Sequence, residues 1–211
     1  MRNRYAVLQN LKSRKIHNGI VGVNVGANKD STDRITDYVK GIRAFAAVAS
    51  YFTINISSPN TPGLRAMQSR EILDDLLAYT LHERDEMTRS HTKKPLLLKI
   101  APDISLQELD DIVEICRKRS IDGLIISNTT IKRPKSLHDV THRLQTVGLS
   151  GKPLYPLSTK ILSEAYQRVE NQFPLIGVGG VNSARTAIGK IEAGASLIQL
   201  YSSLVYKGPR L

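Results

Sequence analysis

Six short runs of almost unbroken apolar residues, each followed by an amphipathic stretch, constrain this chain more than any other feature. The runs are Gly19–Val25, Tyr51–Ile56, Pro95–Ile100, Gly123–Ser127, Leu175–Val178 and Ser196–Leu200. Strands apolar at nearly every position are strands buried on both faces, as in a parallel sheet covered by helices. The stretches between them predict helices over Thr32–Val48, Glu71–Thr88, Leu106–Ser120, Ser158–Asn171 and Ser183–Ala193, with another at Tyr5–Lys15 ahead of the first run. In the third of these, Ser105 and Glu108 form a capping box, and Leu106, Leu109, Ile112, Val113 and Cys116 share one face. Asn182 is read as the N-cap of the last helix and Gly194 as its stop.

The polar residues sort onto one end of these strands. Asn24, Asn55, Ser58, Lys99, Asn128 and Gly180 all fall at or just past the C-terminal ends of the apolar runs. In a (β/α) barrel that rim holds the active site. The fold class expected is therefore α/β, a (β/α)8 TIM barrel of which about six βα units are present.

Two rim segments carry most of the chemistry. Asn55-Ile56-Ser57-Ser58-Pro59-Asn60-Thr61-Pro62-Gly63 crowds amides and hydroxyls between two prolines. Such residues also make ordinary turns, but two prolines stiffen a segment that must hold amides around a planar ligand. Val178-Gly179-Gly180 precedes a capped helix, and the next run ends Leu200-Tyr201-Ser202-Ser203. Backbone N–H groups at glycines beside a helix start form a phosphate cradle, and in these barrels phosphate sits after the last two strands. Lys99 either snorkels to solvent or points a cation into the barrel mouth, where it would stabilise an anion. Ser127-Asn128-Thr129-Thr130 adds amide and hydroxyl contacts. The polar connection Lys132–Thr146 is long enough for a functional lid.

Composition excludes several classes. The net charge of +11 raises the question of nucleic acid, with Arg2, Arg4, Lys12, Arg14 and Lys15 and then Lys132, Arg133, Lys135, Arg143 and Lys152 as basic stretches. Three Phe, eight Tyr and no Trp supply little base stacking, and no nucleic-acid signature occurs. A solvated surface, or attraction to anionic ligands and lipid, is the better reading, so no nucleic-acid partner is expected. Cys116 is the only cysteine and is read as a core residue. His17, His82, His91, His138 and His142 fall on helices or loops, so no metal site is expected. No run of roughly 18 apolar residues suggests a membrane span, and Met1 to Asn18 does not read as a signal peptide.

Together, Asn55–Gly63, Lys-Ile-Ala-Pro-Asp at 99–103, Ser-Asn-Thr-Thr at 127–130, Gly-Leu-Ser-Gly-Lys-Pro-Leu at 148–154, Gly-Val-Gly-Gly at 177–180 and Tyr-Ser at 201–202 resemble the dihydroorotate dehydrogenase family. The order and spacing match from Val23 to the C-terminus. The resemblance implies oxidation of (S)-dihydroorotate to orotate, in de novo pyrimidine biosynthesis, with FMN as hydride acceptor. It implies that Asn24, Asn55, Lys99, Ser127, Gly151, Gly180, Tyr201 and Ser202 bind FMN, and that Asn55, Asn60, Asn128 and Thr129 bind substrate. It further implies Ser58 as catalytic base, Thr61 with a water as its proton path, and Lys99 as stabiliser of charge on the reduced flavin.

Serine at position 58, where the soluble class has cysteine, implies the membrane-associated, quinone-reducing class. That class sits peripherally on the cytoplasmic face of the bacterial cell membrane, or on the mitochondrial inner membrane. Another FMN- or phosphate-binding barrel acting on a different planar substrate is the alternative. Against the family pattern, residues 1–211 are expected to form one FMN-binding barrel domain lacking its first two strands, its N-terminal extension (and with it the segment meeting the membrane) and its last helix. The chain is accordingly expected to be a fragment with two open sheet edges.

Overall fold

The computed structural model describes residues 2–13, 19–89, 92–134, 137 and 145–211. In chain order these form α1 (Arg2–Lys12), β1 (Gly22–Val25), α2 (Arg34–Phe45), β2 (Tyr51–Asn55), α3 (Arg70–Thr88), β3 (Leu96–Ile100), α4 (Leu106–Lys118), β4 (Gly123–Ile126), α5 (Tyr155–Val169), β5 (Leu175–Val178), α6 (Ala184–Glu192), β6 (Leu197–Gln199) and α7 (Ser202–Lys207). The strands make one parallel sheet in the order β1-β2-β3-β4-β5-β6. Sequential neighbours are the order of a barrel wall, whereas a doubly wound sheet reverses at a switch point.

The two faces of the sheet are filled differently. Helices α2 to α5 cover the outer face, where Phe52, Ile54, Leu96, Leu98, Leu124 and Ile126 join one large core with the buried side of each helix. The inner face carries a small cluster, Leu97, Ile125 and Ile176, with Tyr51 and Val178 packed against it. The parallel register aligns Asn55 with Lys99, Lys99 with Ile125 and Ile125 with Ile176, so these four share an inner layer. Because side chains alternate faces along a strand, the residues at 55 and 99 face inward by the same register that buries 54 and 98 outward.

Helix starts follow their caps. Asp33 accepts from the Thr36 N–H, and Ser105 and Glu108 complete the expected capping box. The last long helix corrects the expectation of an Asn182 cap: Ser183 is the N-cap, with Thr186 closing a second capping box. Helix α5 begins three residues before the expected Ser158, because Pro156 at its first turn is compatible with helix and Lys152–Leu154 leads in as a 3-10 turn. Leu106, expected on the apolar face of α4, is 43% exposed, whereas Leu109, Ile112, Val113 and Cys116 are buried. Burial pushes the Cys116 thiol pKa well up and leaves it an inert core group. Strands β1 and β6 depart from the doubly buried expectation, since Gly22, Asn24 and Leu197 are exposed. Each borders only one strand among the described residues, so its inner face lacks a neighbour on one side. A short helix, α7, also follows β6 where none was expected.

The N-terminal rim is tied by charge. Arg84, 1% exposed, donates to the Lys94 carbonyl (3.0 Å) and to Asp122 (2.7 Å), which also accepts from the Leu96 N–H (2.8 Å). This anchors α3 beneath the starts of β3 and β4, the end of a barrel that serves stability.

Candidate functional site

The C-terminal ends of β3 to β6 enclose a cavity of about 180 Å³ lined by Lys99, Ser127, Gly151, Gly180, Tyr201 and Ser202 among others. Lys99 settles the question left open by its sequence: it lines this cavity instead of reaching bulk solvent. Burial lowers its pKa from the ordinary lysine value, and among the described residues no acidic side chain pairs with it. A cation held in this way favours an anionic or electron-rich ligand.

One wall is an amide and hydroxyl cluster between the ends of β2 and β4. Asn55 Oδ1 accepts from the Ser57 N–H (3.2 Å), from Ser57 Oγ (2.9 Å) and from Asn128 Nδ2 (3.3 Å). Asn128 Nδ2 also donates to Ser57 Oγ (3.1 Å), while its Oδ1 accepts from the Thr129 N–H (2.8 Å). Both N–H groups of Asn128 are thus occupied, and its oxygen keeps one lone pair among the described residues. Asn55 is the converse, with its oxygen occupied and its NH2 without an acceptor among the described residues. The pair therefore offers a ligand one donor end and one acceptor end, which matches the edge of a planar cyclic amide. Beneath it, the Tyr38 hydroxyl donates to the Asn55 carbonyl (2.8 Å), and burial raises the Tyr38 pKa far above the usual phenol value.

The segment that follows β2 is pinned by Arg65. Its guanidinium pairs with Asp103 (2.8 Å) and donates to the carbonyls of Thr129 (3.0 Å) and Ser57 (3.4 Å). Asp103 in turn accepts from Thr130 Oγ1 and from the Ile131 N–H (3.0 Å). Three strand ends, those of β2, β3 and β4, meet on this one ion pair. Thr130 and Leu149 form an antiparallel bridge, and Gly148 packs so closely on Thr129 and Pro59 that a Cβ there would lie 2.0 Å from Thr129 Oγ1. The chain leaving the β4 end and the chain returning to α5 are therefore clasped against the Asn55–Gly63 segment.

The other wall is backbone. Gly179 and Gly180 take φ of 106° and 78°, the left-handed region that favours glycine, and a Cβ at Gly180 would lie 2.5 Å from Tyr155 Cβ. The Gly179 carbonyl accepts from Ser158 Oγ (3.0 Å). In a trans peptide the C=O and N–H point oppositely, so the Gly180 N–H points away from Ser158, on a residue that lines the cavity, and has no acceptor among the described residues. Ser202 Oγ, on the first residue of α7, donates to Ser150 Oγ (3.0 Å) and closes the cavity's far side.

Not every expected residue joins this cavity. Asn24 lies on β1 and lines a separate space of about 420 Å³ with Val7, Leu11 and Phe45. Ser58 is half-buried beside the amide cluster, where its Oγ accepts from the Asn60 N–H (3.3 Å). The Asn60 side chain is exposed, and no direct hydrogen bond joins Thr61 to Ser58. The expected lid is described only at 132–134, 137 and 145–146, and His17, His91, His138 and His142 lie outside the described residues; His82 is on α3. Sequence reasoning missed Arg65, Ser150, Ser158 and Lys190. A lone arginine inside the Asn55-to-Gln68 stretch was the one signal for the first, and Ser150 lies within the motif at 148–154; nothing local marks Ser158 or Lys190.

A glycine turn and a lysine unpaired among the described residues meet at the C-terminal rim of a parallel (β/α) sheet, the arrangement of a (β/α) barrel's functional end. The chain belongs to the dihydroorotate dehydrogenase family, whose profile it matches over residues 4–211. It is 60% identical over 201 residues to a dihydroorotate dehydrogenase (quinone) of Bradyrhizobium diazoefficiens, covering 95% of this chain and 55% of that one. A relative of the same name from Rhodopseudomonas palustris is 57% identical over 203 residues, with 96% and 56% covered. Among solved structures, ligand-free DHODH from Eimeria tenella superposes with a TM-score of 0.86 at 34% identity, over 98% of this chain and 60% of that one. The chain thus spans a little over half the length of the relatives it matches, and its six-stranded sheet is part of a TIM barrel.

Proposed function

We propose that this chain provides the flavin- and substrate-binding rim of an enzyme that oxidises (S)-dihydroorotate to orotate and passes the electrons to a quinone, a step of pyrimidine biosynthesis. The observation that carries the reading is the pairing, in one rim, of an amide cluster with complementary donor and acceptor ends and an uncompensated lysine beside a glycine turn. The family implies a flavin. The described residues fit its phosphorylated form, FMN, on two counts: the Gly180 N–H is a donor without an acceptor, and Lys99 is a cation without a counter-ion. Gly180, Tyr201 and Ser202 would hold the phosphate, Lys99, Ser127 and Gly151 the rest of the group, with Asn24 and Asn55 across the barrel mouth. When bound, FMN supplies the hydride acceptor.

The residues of the chain supply the remainder. Ser58 takes the proton from C5 of the substrate; a hydroxyl is a weak base at neutral pH and needs help. The Asn60 N–H, 3.3 Å from Ser58 Oγ, stabilises charge developing on that oxygen. Thr61 carries the proton onward through a water, since the two hydroxyls do not touch. Asn55 donates to a substrate carbonyl and Asn128 accepts from a ring N–H, with Asn60 and Thr129 completing the grip. Lys99 offsets negative charge on the reduced ring. The connection between β4 and α5 excludes water while the hydride moves. The relatives' names support quinone as acceptor, and their bacterial sources support a peripheral position on the cytoplasmic face of the cell membrane.

The test is the absorption spectrum of the purified full-length protein, recorded anaerobically with and without dihydroorotate. Flavin bands that bleach on adding dihydroorotate are expected. Bands that dihydroorotate leaves unchanged, or no bands at all, would sink the reading.

A further inference from the structure

Lys190 is fully buried on α6, yet no acidic side chain is paired with it among the described residues. Its Nζ donates to Ser158 Oγ (2.6 Å) and lies 5.1 Å from the centre of the Tyr155 ring. Ser158 Oγ, accepting from the lysine, has its own proton within reach of the Gly179 carbonyl (3.0 Å), the shorter contact, and of the Tyr155 carbonyl (3.2 Å). The chain of contacts runs Lys190, Ser158, Gly179, and ends at the Gly180 N–H. Lys190 itself does not line the cavity. A buried cation without a counter-ion is costly, and a structure that keeps one behind an anion cradle supplies the counter-ion from outside.

We propose that Lys190 is the buried counter-charge and positioning residue of the phosphate subsite, acting through Ser158 to aim the Gly179–Gly180 peptide and to select phosphorylated over unphosphorylated flavin. This rests on the flavin reading above. Burial pushes the Lys190 pKa down to about 7, so without a phosphate the group is half neutral near neutrality. An anion on the Gly180 N–H, three hydrogen bonds and one peptide unit from Lys190, favours the charged form, so phosphate binding takes up a proton. Lys99 lines the same cavity from β3, but among the elements packed around Lys190 no other charge takes that role. Strands β5 and β6 carry no ionisable residue. On α5, Tyr155 presents its ring, Lys160 and Tyr166 are exposed, and Glu164 pairs with Arg168; on α6, Arg185 and Glu192 are exposed. Affinity for FMN should therefore fall as pH rises above about 7, where the free lysine must be protonated on binding.

The experiment measures FMN and riboflavin binding to the flavin-stripped full-length protein by fluorescence quenching, for wild type, Lys190→Met and Ser158→Ala. Lys190→Met is expected to weaken FMN by roughly 10–100-fold, less than for a directly paired buried charge because Lys190 acts through Ser158, with riboflavin changed less than about two-fold. Ser158→Ala, which keeps the lysine, is expected to produce a smaller phosphate-specific loss. Wild type should lose FMN affinity between pH 7 and 9 where Lys190→Met does not, and calorimetry in buffers of different ionisation enthalpy should record proton uptake. Equal losses for FMN and riboflavin would reduce Lys190 to a structural role and overturn the proposal. FMN affinity unchanged in both variants would overturn it while leaving the flavin reading intact. Wild type that binds neither flavin would sink both. Should Lys190→Met fail to fold by circular dichroism, Ser158→Ala decides alone.

Discussion

The wall built on β2 and β4 holds its polar side chains to one another, whereas the wall on β5 and β6 leaves a backbone donor without an acceptor among the described residues. Asn55, Ser57 and Asn128 form a closed side-chain network, braced from outside by Arg65 and Asp103. Gly180 presents a backbone donor with nothing opposite it, braced from behind by Ser158. The difference fits the role that the proposed function gives each wall. Planar ligands are distinguished by which edge atoms donate and accept, and that needs amides locked in one orientation. A phosphate is nearly isotropic, and free N–H groups with positive charge nearby suffice.

The comparison can be broken by changing each wall separately in the full-length protein. The largest effect belongs to Ser58→Ala, expected to slow flavin reduction by dihydroorotate about 10²–10⁴-fold with FMN retained, the range for losing a general base. Near wild-type stopped-flow rates would remove Ser58 from the chemistry. Lys99→Ala touches both walls and is expected to weaken flavin retention and slow reduction together, by about 2–5 kcal/mol in all. Normal retention on gel filtration with normal turnover would show that the cation faces no ligand.

Smaller effects test the bracing. Asp103→Ala leaves Arg65 unpaired and frees the Thr130 and Ile131 donors, so it should destabilise the fold by about 3 kcal/mol, as when one partner of a buried pair is lost. Its mark on function should be a raised KM for dihydroorotate, with FMN affinity unchanged; a lowered FMN affinity would contradict the separation of the walls. Tyr38→Phe removes only the hydrogen bond to the Asn55 carbonyl, worth about 1 kcal/mol by denaturant melts. A loss several times larger would mean that Tyr38 sets the Asn55 orientation.

The repeat of strand and helix was legible because its signal is local. Leu175–Val178 is bounded as expected, and the outer-face residues of β2 to β4 are apolar because helices cover them. The edges were less legible: β1 and β6 shorten to Gly22–Val25 and Leu197–Gln199, where ladder pairing, not apolarity, decides the ends. Asn182 and Ser183 are both good capping residues, and only the backbone conformation chooses between them. At the site, Lys99, Asn128 and Gly180 could be placed because they terminate strands. Arg65 with Asp103 and Lys190 with Ser158 could not, because they meet across 38 and 32 residues of chain. Such pairings are written in the barrel's curvature, which no short window of sequence contains.

The clasp between Thr130 and Leu149 changes what variation the β4–α5 connection can absorb. With both stems fixed beside Thr129 and Pro59, the separation of the two ends of this connection does not depend on its length. Closure entropy then grows only logarithmically, at about 0.6 kcal/mol for each doubling. Insertions or deletions at its middle should therefore drift freely among homologous proteins, while the rim a few residues away stays in place. Length here is a dial that evolution can turn without retuning the fold.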